Sequence, residues 1–171
     1  MFGFSFANGS AYFIYQIKSE ILGFQPYSAY FLSFSAMFAQ TLSTYKASLW
    51  SIKRLKVISL ISIILVSLII ICFGINEIYF VFIILFVILG LLAGILYGSA
   101  IKYFMILNLT KRTSKYSSIM ESLTGITFFV TQITAGFIGG TNLELAFFTL
   151  SIILMGIFIL NLLYVKKIRE I

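Results

Sequence analysis

The sequence predicts an all-α membrane protein, folded as a single six-helix domain over residues 1–171. Three observations carry the prediction: 61% of the 171 residues are apolar, only 10% are charged, and the mean hydropathy is +1.09. Soluble domains are about 45–50% apolar and about 25% charged, so a water-soluble protein of this composition could not cover its surface with polar groups. Since one crossing takes about 20 apolar residues, six crossings leave room only for short connectors.

Long apolar runs define the six spans. They cover residues 2–17, 27–50, 57–74, 78–107, 117–140 and 145–165. The first span is shortened and carries Asn8 and Gln16, and Gly23 and Pro26 punctuate the connector after it. The third consists almost wholly of Ile, Leu, Val and Ser, and the fourth is long enough for a tilted helix. Basic connectors follow the second and fourth spans, short turns follow the third and fifth, and a basic tail follows the sixth.

The basic residues predict the orientation of the bundle. Six spans place nine of the twelve Lys and Arg residues on one side: Lys53, Arg54, Lys56, Lys111, Arg112, Lys115, Lys166, Lys167 and Arg169. The opposite connectors carry Lys18 with three glutamates. Because positive charge marks cytoplasmic loops, we expect a multi-pass protein of the cell membrane with both termini in the cytoplasm. The net charge of +7 therefore indicates orientation in the lipid bilayer, and no nucleic-acid partner is predicted.

The residue inventory excludes several classes of enzyme site. The sequence contains no histidine, no aspartate, one cysteine (Cys72) and one proline (Pro26). Ser-His-Asp triads, His or Cys zinc sites, aspartate-based phosphoryl transfer and disulfide frameworks each need residues that this chain lacks. For the chain acting alone we predict no enzyme activity and no cofactor or metal site.

Polar side chains are divided unevenly among the spans. The third span has no charge or amide, and the sixth has only Asn161. A polar side chain in hydrocarbon costs several kcal/mol unless it finds a partner or a wet cavity. We therefore expect the first, second, fourth and fifth helices to surround a polar interior, and the third and sixth to face lipid. This pattern indicates two three-helix units of opposite orientation, the inverted repeat of many transporters.

Six polar residues within the spans are candidate cavity or gate residues: Gln40, Lys46, Lys102, Glu121, Thr127 and Gln132. Lys102 and Glu121 lie at the same end of consecutive helices, so we expect their side chains to approach within ion-pair range, as a gate, a proton-linked site or a neutralising pair. Lys102 alternatively snorkels to the interface, as is expected for Lys46. Gln40, Thr127 and Gln132 lie nearer mid-helix, where they either contact a solute or hydrogen-bond between helices.

Two sets of glycines predict close helix packing. Gly90, Gly94 and Gly98 form GxxxGxxxG on the fourth helix, where glycines four residues apart share one face. The second set lies on the fifth helix and comprises Gly125, Gly136, Gly139 and Gly140. It indicates either close packing against a neighbouring helix or a bend.

The most specific stretch is residues 111–140, KRTSKYSSIMESLTGITFFVTQITAGFIGG. A basic loop leads into a Glu-Ser pair and a helix that ends in two glycines. The chain resembles the C-terminal six-helix half of a major facilitator superfamily transporter. Glu121, Ser122, Gly125, Gly139 and Gly140 match that family's connector and following helix, while Ala135 and Gly136 stand where the family has Gly-Pro. Lys53, Arg54 and Lys56 stand where it has a Gly-Asp-Arg-Gly-Arg signature, here without the aspartate.

The resemblance implies a secondary transporter that moves a small solute by alternating access between two six-helix bundles. This chain supplies one bundle, so its expected partner is a second one, either another copy or a separate N-terminal half. The alternative is a non-transporting multi-pass subunit or a degenerate fragment of a transporter. The solute, the direction of transport and the coupling ion do not follow from the residues.

Overall fold

Six α-helices joined by short connectors make up the fold. The computed structural model describes the backbone of residues 2–169 and the side chains within that range except those at 2, 7, 10, 161 and 163–169. The helices are α1 (Phe2–Ile21), α2 (Pro26–Leu49), α3 (Ile52–Ile75), α4 (Tyr79–Lys111), α5 (Lys115–Gly139) and α6 (Leu143–Arg169). Each of the six predicted apolar runs therefore corresponds to one helix.

Local residue chemistry sets several of the helix ends. Pro26 occupies the first turn of α2, where its missing N–H costs no hydrogen bond. The Ser51 hydroxyl caps α3 by accepting a hydrogen bond from the Arg54 N–H. Arg112 ends α4 in the left-handed conformation, with φ 50°. Such an end lets the backbone N–H turn back to the last carbonyls, here those of Asn108 and Leu109.

α1 lies at the centre of the bundle and contacts all five other helices. Ala11, Ile14 and Tyr15 are fully buried, and the Tyr15 ring packs edge-on against Phe82 and Phe86 of α4 at 4.9 and 5.0 Å. The helix continues to Ile21, so the predicted connector over residues 18–26 starts too early. Gly23 and Pro26 indicated a connector that begins at Lys18, but the Lys18 ammonium group finds partners inside the bundle.

Contacts between the helices follow a regular order. α2 packs most extensively against α4, α5 against α1, and α3 against α6 and α4. With α1–α3 taken as one unit and α4–α6 as the other, the second helix of each unit packs on the first helix of the other.

Four of the helices in the described part of the chain are long and apolar enough to cross a membrane. They are Ile52–Ile75, Tyr79–Lys111, Lys115–Gly139 and Leu143–Leu160. The fold is thus all-helical and compatible with a membrane-embedded protein. α1 and α2 are more polar, with Asn8 and Gln16 on α1 and Gln40 and Thr41 on α2.

The distribution of burial corrects the expectation that α3 and α6 face lipid while the four more polar helices form the interior. Among the four candidate spans α3 and α4 are buried most and α5 least. Val66 and Phe73 of α3 and Phe147 and Leu154 of α6 are fully buried in the core. Each of these apolar helices fills the core with one face and exposes the other, whereas the polar helix α5 leaves much of its surface open. Close packing of apolar side chains, rather than enclosure of polar ones, determines the core of the single chain.

Candidate functional site

Among the described residues the most extensive contact between two helices is the seam between α4 and α2. A Cβ atom added to Gly90 would overlap the Ala36 carbonyl oxygen, and one added to Gly94 would overlap Ser43 Oγ and the Gln40 carbonyl oxygen. At Gly98 the added atom would lie 3.0 Å from the Ala47 Cβ. Only glycine allows this backbone approach, so the GxxxGxxxG face of α4 packs directly on α2.

Polar groups bridge this seam to α1. The Asn8 side-chain amide donates to the Gln40 amide oxygen at 3.2 Å and links α1 to α2. The Thr44 hydroxyl donates to the Gly94 carbonyl at 3.1 Å and links α2 to α4. Gln40, a candidate cavity residue, therefore holds helices together in this chain.

A polar stripe on α1 was not identified from the sequence beyond Asn8. Ser5, Asn8 and Tyr12 recur at helical spacing on α1, and Ser5 and Asn8 are buried. In the described part of the chain, Ser5 Oγ, Asn8 Oδ1 and Tyr12 OH are buried without a hydrogen-bond partner. An unpaired buried polar atom costs about 1–3 kcal/mol, so a short polar row of this kind is costly in a purely structural core. The signal was the recurrence of Ser, Asn and Tyr at intervals of three and four residues.

An open groove of about 380 Å³ runs along α5. Its lining residues share one helical face: Glu121, Thr124, Gly125, Phe128, Phe129 and Gln132. A Cβ atom added to Gly125 would meet nothing within 4 Å, so this glycine opens the groove and does not pack against a neighbouring helix. Glu121 is exposed and Gln132 is half-buried. The groove is thus lined by a carboxylate and an amide, with two aromatic residues between them along the helix.

Thr127 does not line this groove. It is buried, and its hydroxyl donates to the Leu123 carbonyl of its own helix at 2.7 Å. The next turn repeats the arrangement with Thr131 and the Thr127 carbonyl at 2.6 Å. These hydroxyls face the bundle, where Gly9 of α1 lies close to Thr131. The Thr127 hydroxyl thus bonds within its own helix, and neither the solute contact nor the hydrogen bond between helices considered for it is seen among the described residues.

Lys102 and Glu121 do not form the expected pair. The Lys102 ammonium donates to the Ser48 carbonyl at 2.8 Å and to the Trp50 carbonyl at 2.6 Å, at the end of α2. Glu121 instead faces the open groove on α5. The sequence places both residues near the same end of consecutive helices, but Lys102 bonds to the end of α2 whereas Glu121 lines the α5 groove.

Lys18 is the buried charge that the sequence did not single out. Its side chain is only 6% exposed, and the ammonium donates to the Phe73 carbonyl at 2.8 Å and to the Gly74 carbonyl. The rings of Phe82 and Phe147 lie 5.7 and 5.8 Å away, within cation–π range. One feature of the sequence could have drawn attention to Lys18, since it is the single basic residue on the predicted outer connectors.

The remaining predicted residues lie at the periphery of these contacts. Gly136 packs against the Phe13 ring and Gly139 near Ala146, whereas Gly140 meets only carbonyls of its own helix. Lys46 is exposed on α2. The basic connector residues are exposed except Lys56, which is half-buried, and comprise Lys53, Arg54, Lys56, Lys111, Arg112 and Lys115. The side chains of Lys166, Lys167 and Arg169 lie outside the described residues.

Comparisons of the chain with protein-family models, with curated proteins and with solved structures find no match.

Proposed function

We propose that this chain is one six-helix bundle of a secondary transporter, which moves a small solute across the cell membrane by alternating access after pairing with a second bundle. All six helices cross the bilayer in this proposal, with both termini in the cytoplasm. The second bundle is another copy of the chain or a separate N-terminal half.

The observation that carries the proposal is the open groove on α5, whose largely apolar wall includes the side chains of Glu121 and Gln132. Glu121 and Gln132 line an exposed face of a helix that is itself apolar enough to cross a membrane. An ionised or amide side chain facing hydrocarbon is costly, and such residues in membrane proteins face a bundle interior or a water-filled cavity. Since no residue outside α5 lines the groove in the described part of the chain, a second bundle facing α5, with water between the two, accounts for it.

Two further features support the proposal. The second helix of each three-helix unit packs on the first helix of the other unit, with α2 on α4 and α5 on α1. This reciprocal packing is the pattern expected of an inverted repeat. The row of Ser5, Asn8 and Tyr12 on the central helix supplies polar atoms that the described residues leave unpaired. Transport sites near the midplane commonly lie between such repeats.

Thiol labelling of the groove tests the proposal. On a Cys72→Ala background, Gly125→Cys and Phe128→Cys each place one thiol in the groove, the latter close to the midpoint of α5. We expect membrane-impermeant maleimide to modify Phe128→Cys when it is added from either side of sealed vesicles, because alternating access opens the groove in turn to both. Ile152→Cys, on the exposed face of α6, is the lipid-facing control and should stay unmodified.

The same variants distinguish the alternative of a non-transporting subunit. A packed, inactive interface would protect Phe128→Cys from the reagent on both sides of the membrane. Labelling from one side only would also contradict alternating access. Either result would leave the helix bundle intact and remove the transport proposal.

A further inference from the structure

A second groove, of about 340 Å³, lies between α2 and α4 near the end of α2. Its wall is mostly apolar, formed on α4 by Ile101, Met105, Ile106 and Leu109. Lys102 is the charged residue among its lining side chains. An apolar wall with one cation at its edge fits an amphiphilic anion better than a purely polar solute.

The charge of Lys102 is only partly satisfied within the chain. Its ammonium has three N–H donors, and two of them bond to the carbonyls of Ser48 and Trp50. Among the described residues no carboxylate is an ion-pair partner of Lys102. One donor thus has no partner among the described residues, and no carboxylate there neutralises the charge.

A second cation meets the same tryptophan. The Arg54 guanidinium lies over the Trp50 ring at 4.8 Å, while the Trp50 carbonyl accepts from Lys102. Arg54 itself is exposed. Tryptophan and basic side chains together are typical of the level where a bilayer meets water.

The depth of Lys102 agrees with this level. From Tyr79, the first residue of α4, to Lys102 is 23 residues, or about 35 Å of helix at about 1.5 Å per residue. The hydrocarbon core is about 30 Å thick, so Lys102 reaches the headgroup region when Tyr79 lies at the opposite surface.

We propose that this groove is a binding site for an anionic phospholipid, with the headgroup phosphate on Lys102 and Arg54 and an acyl chain along the apolar wall of α4. The site requires only that the chain is embedded in a membrane, and it does not depend on transport. Its Lys102 contacts also join α2 to α4, so bound lipid would stabilise the seam formed by Gly90, Gly94 and Gly98.

Native mass spectrometry of the purified full-length chain tests the site. We expect phosphatidylglycerol to bind more tightly than phosphatidylcholine, and Lys102→Met and Arg54→Met each to weaken phosphatidylglycerol binding about fivefold, the effect of about 1 kcal/mol per basic residue. Lys46→Met removes an exposed cation of α2 outside the groove lining and should bind lipid like the unsubstituted chain.

Several outcomes would overturn the proposal. The first is that the two lipids bind equally well, and the second is that Lys46→Met weakens binding as much as Lys102→Met does. The third is that inorganic phosphate displaces phosphatidylglycerol as effectively as short-chain phosphatidylglycerol does. If Lys102→Met does not fold, because Lys102 also caps α2, Arg54→Met alone decides the test, since the Arg54 side chain makes no such cap. If a variant loses lipid binding while thiol labelling of Phe128→Cys in the α5 groove is unchanged, the lipid site is independent of the proposed transport function.

Discussion

The Lys18 ammonium donates a 2.8 Å hydrogen bond to the Phe73 carbonyl and fastens the central helix α1 to the last turn of α3. The last carbonyls of a helix lack hydrogen-bond partners within that helix and carry partial negative charge. A lysine from another helix supplies the missing donors and an opposite charge. Lys102 of α4 does the same at the end of α2. Helix C-termini are therefore the sites where the ammonium groups of Lys18 and Lys102 find their hydrogen-bond partners.

Replacing Lys18 tests this role. We expect Lys18→Met to lower the free energy of unfolding by about 1.5–3 kcal/mol, the range for hydrogen bonds to charged groups, because methionine keeps most of the stem but leaves the α3 carbonyls unpaired. Unfolding by sodium dodecyl sulfate in mixed micelles, followed by circular dichroism, measures the change. Lys46→Met removes an exposed lysine and is the control. Equal unfolding midpoints for the two variants would contradict the assigned role.

The α2–α4 seam leads to a prediction about glycine. We expect Gly90→Ala to cost about 1–3 kcal/mol, as overpacking does, because the new methyl group would meet the Ala36 backbone and push the helices apart. Gly156→Ala on α6 is the matched control, since an atom added there meets nothing within 4 Å. In an exposed helix interior alanine is favoured over glycine, so the control should be unchanged or more stable. A Gly90→Ala protein as stable as Gly156→Ala would mean that the seam is looser than described.

The sequence predicted the six helices because long apolar runs are strong signals, and the 78–107 run corresponds closely to α4 (Tyr79–Lys111). It predicted a close approach at Gly94 without identifying α2 as the partner. Identifying α2 required the small residues Ala36, Ser43 and Ala47, which share one face of α2 and allow the close approach from that side.

The expected pairing of Lys102 with Glu121 failed for a geometric reason. Position along a helix gives depth at a fixed rise per residue, but which neighbour a side chain meets depends on helix rotation and on the whole packing order. The hydrogen-bond partners of Lys18 could not be predicted from the sequence either, because they are backbone carbonyls of α3 and the side-chain pattern carries no information about them.

The contact between Asn8 and Gln40 predicts a measurable coupling. In a double-mutant cycle of Asn8→Ala and Gln40→Ala, we expect a coupling energy of about 0.6 kcal/mol, the average for polar contacts between membrane helices. Thr41→Ala replaces Gln40→Ala in the control cycle, since Thr41 is exposed and bonds to its own helix. Coupling of the same size in the control cycle would show that the substitutions act through a general change in the bundle.

The distribution of basic residues predicts which connectors share a side of the membrane. With six spans, Lys53 and Arg112 lie on one side and Glu77 and Asn142 on the other, and the positive charge assigns the first pair to the cytoplasm. On the Cys72→Ala background, we expect a membrane-impermeant maleimide to label Glu77→Cys and Asn142→Cys in intact cells. Lys53→Cys and Arg112→Cys should react only after permeabilisation. All four positions are exposed, so a difference in labelling reports sidedness and not burial. Labelling of Lys53→Cys and Arg112→Cys from opposite sides would mean that α3 and α4 do not both cross the bilayer.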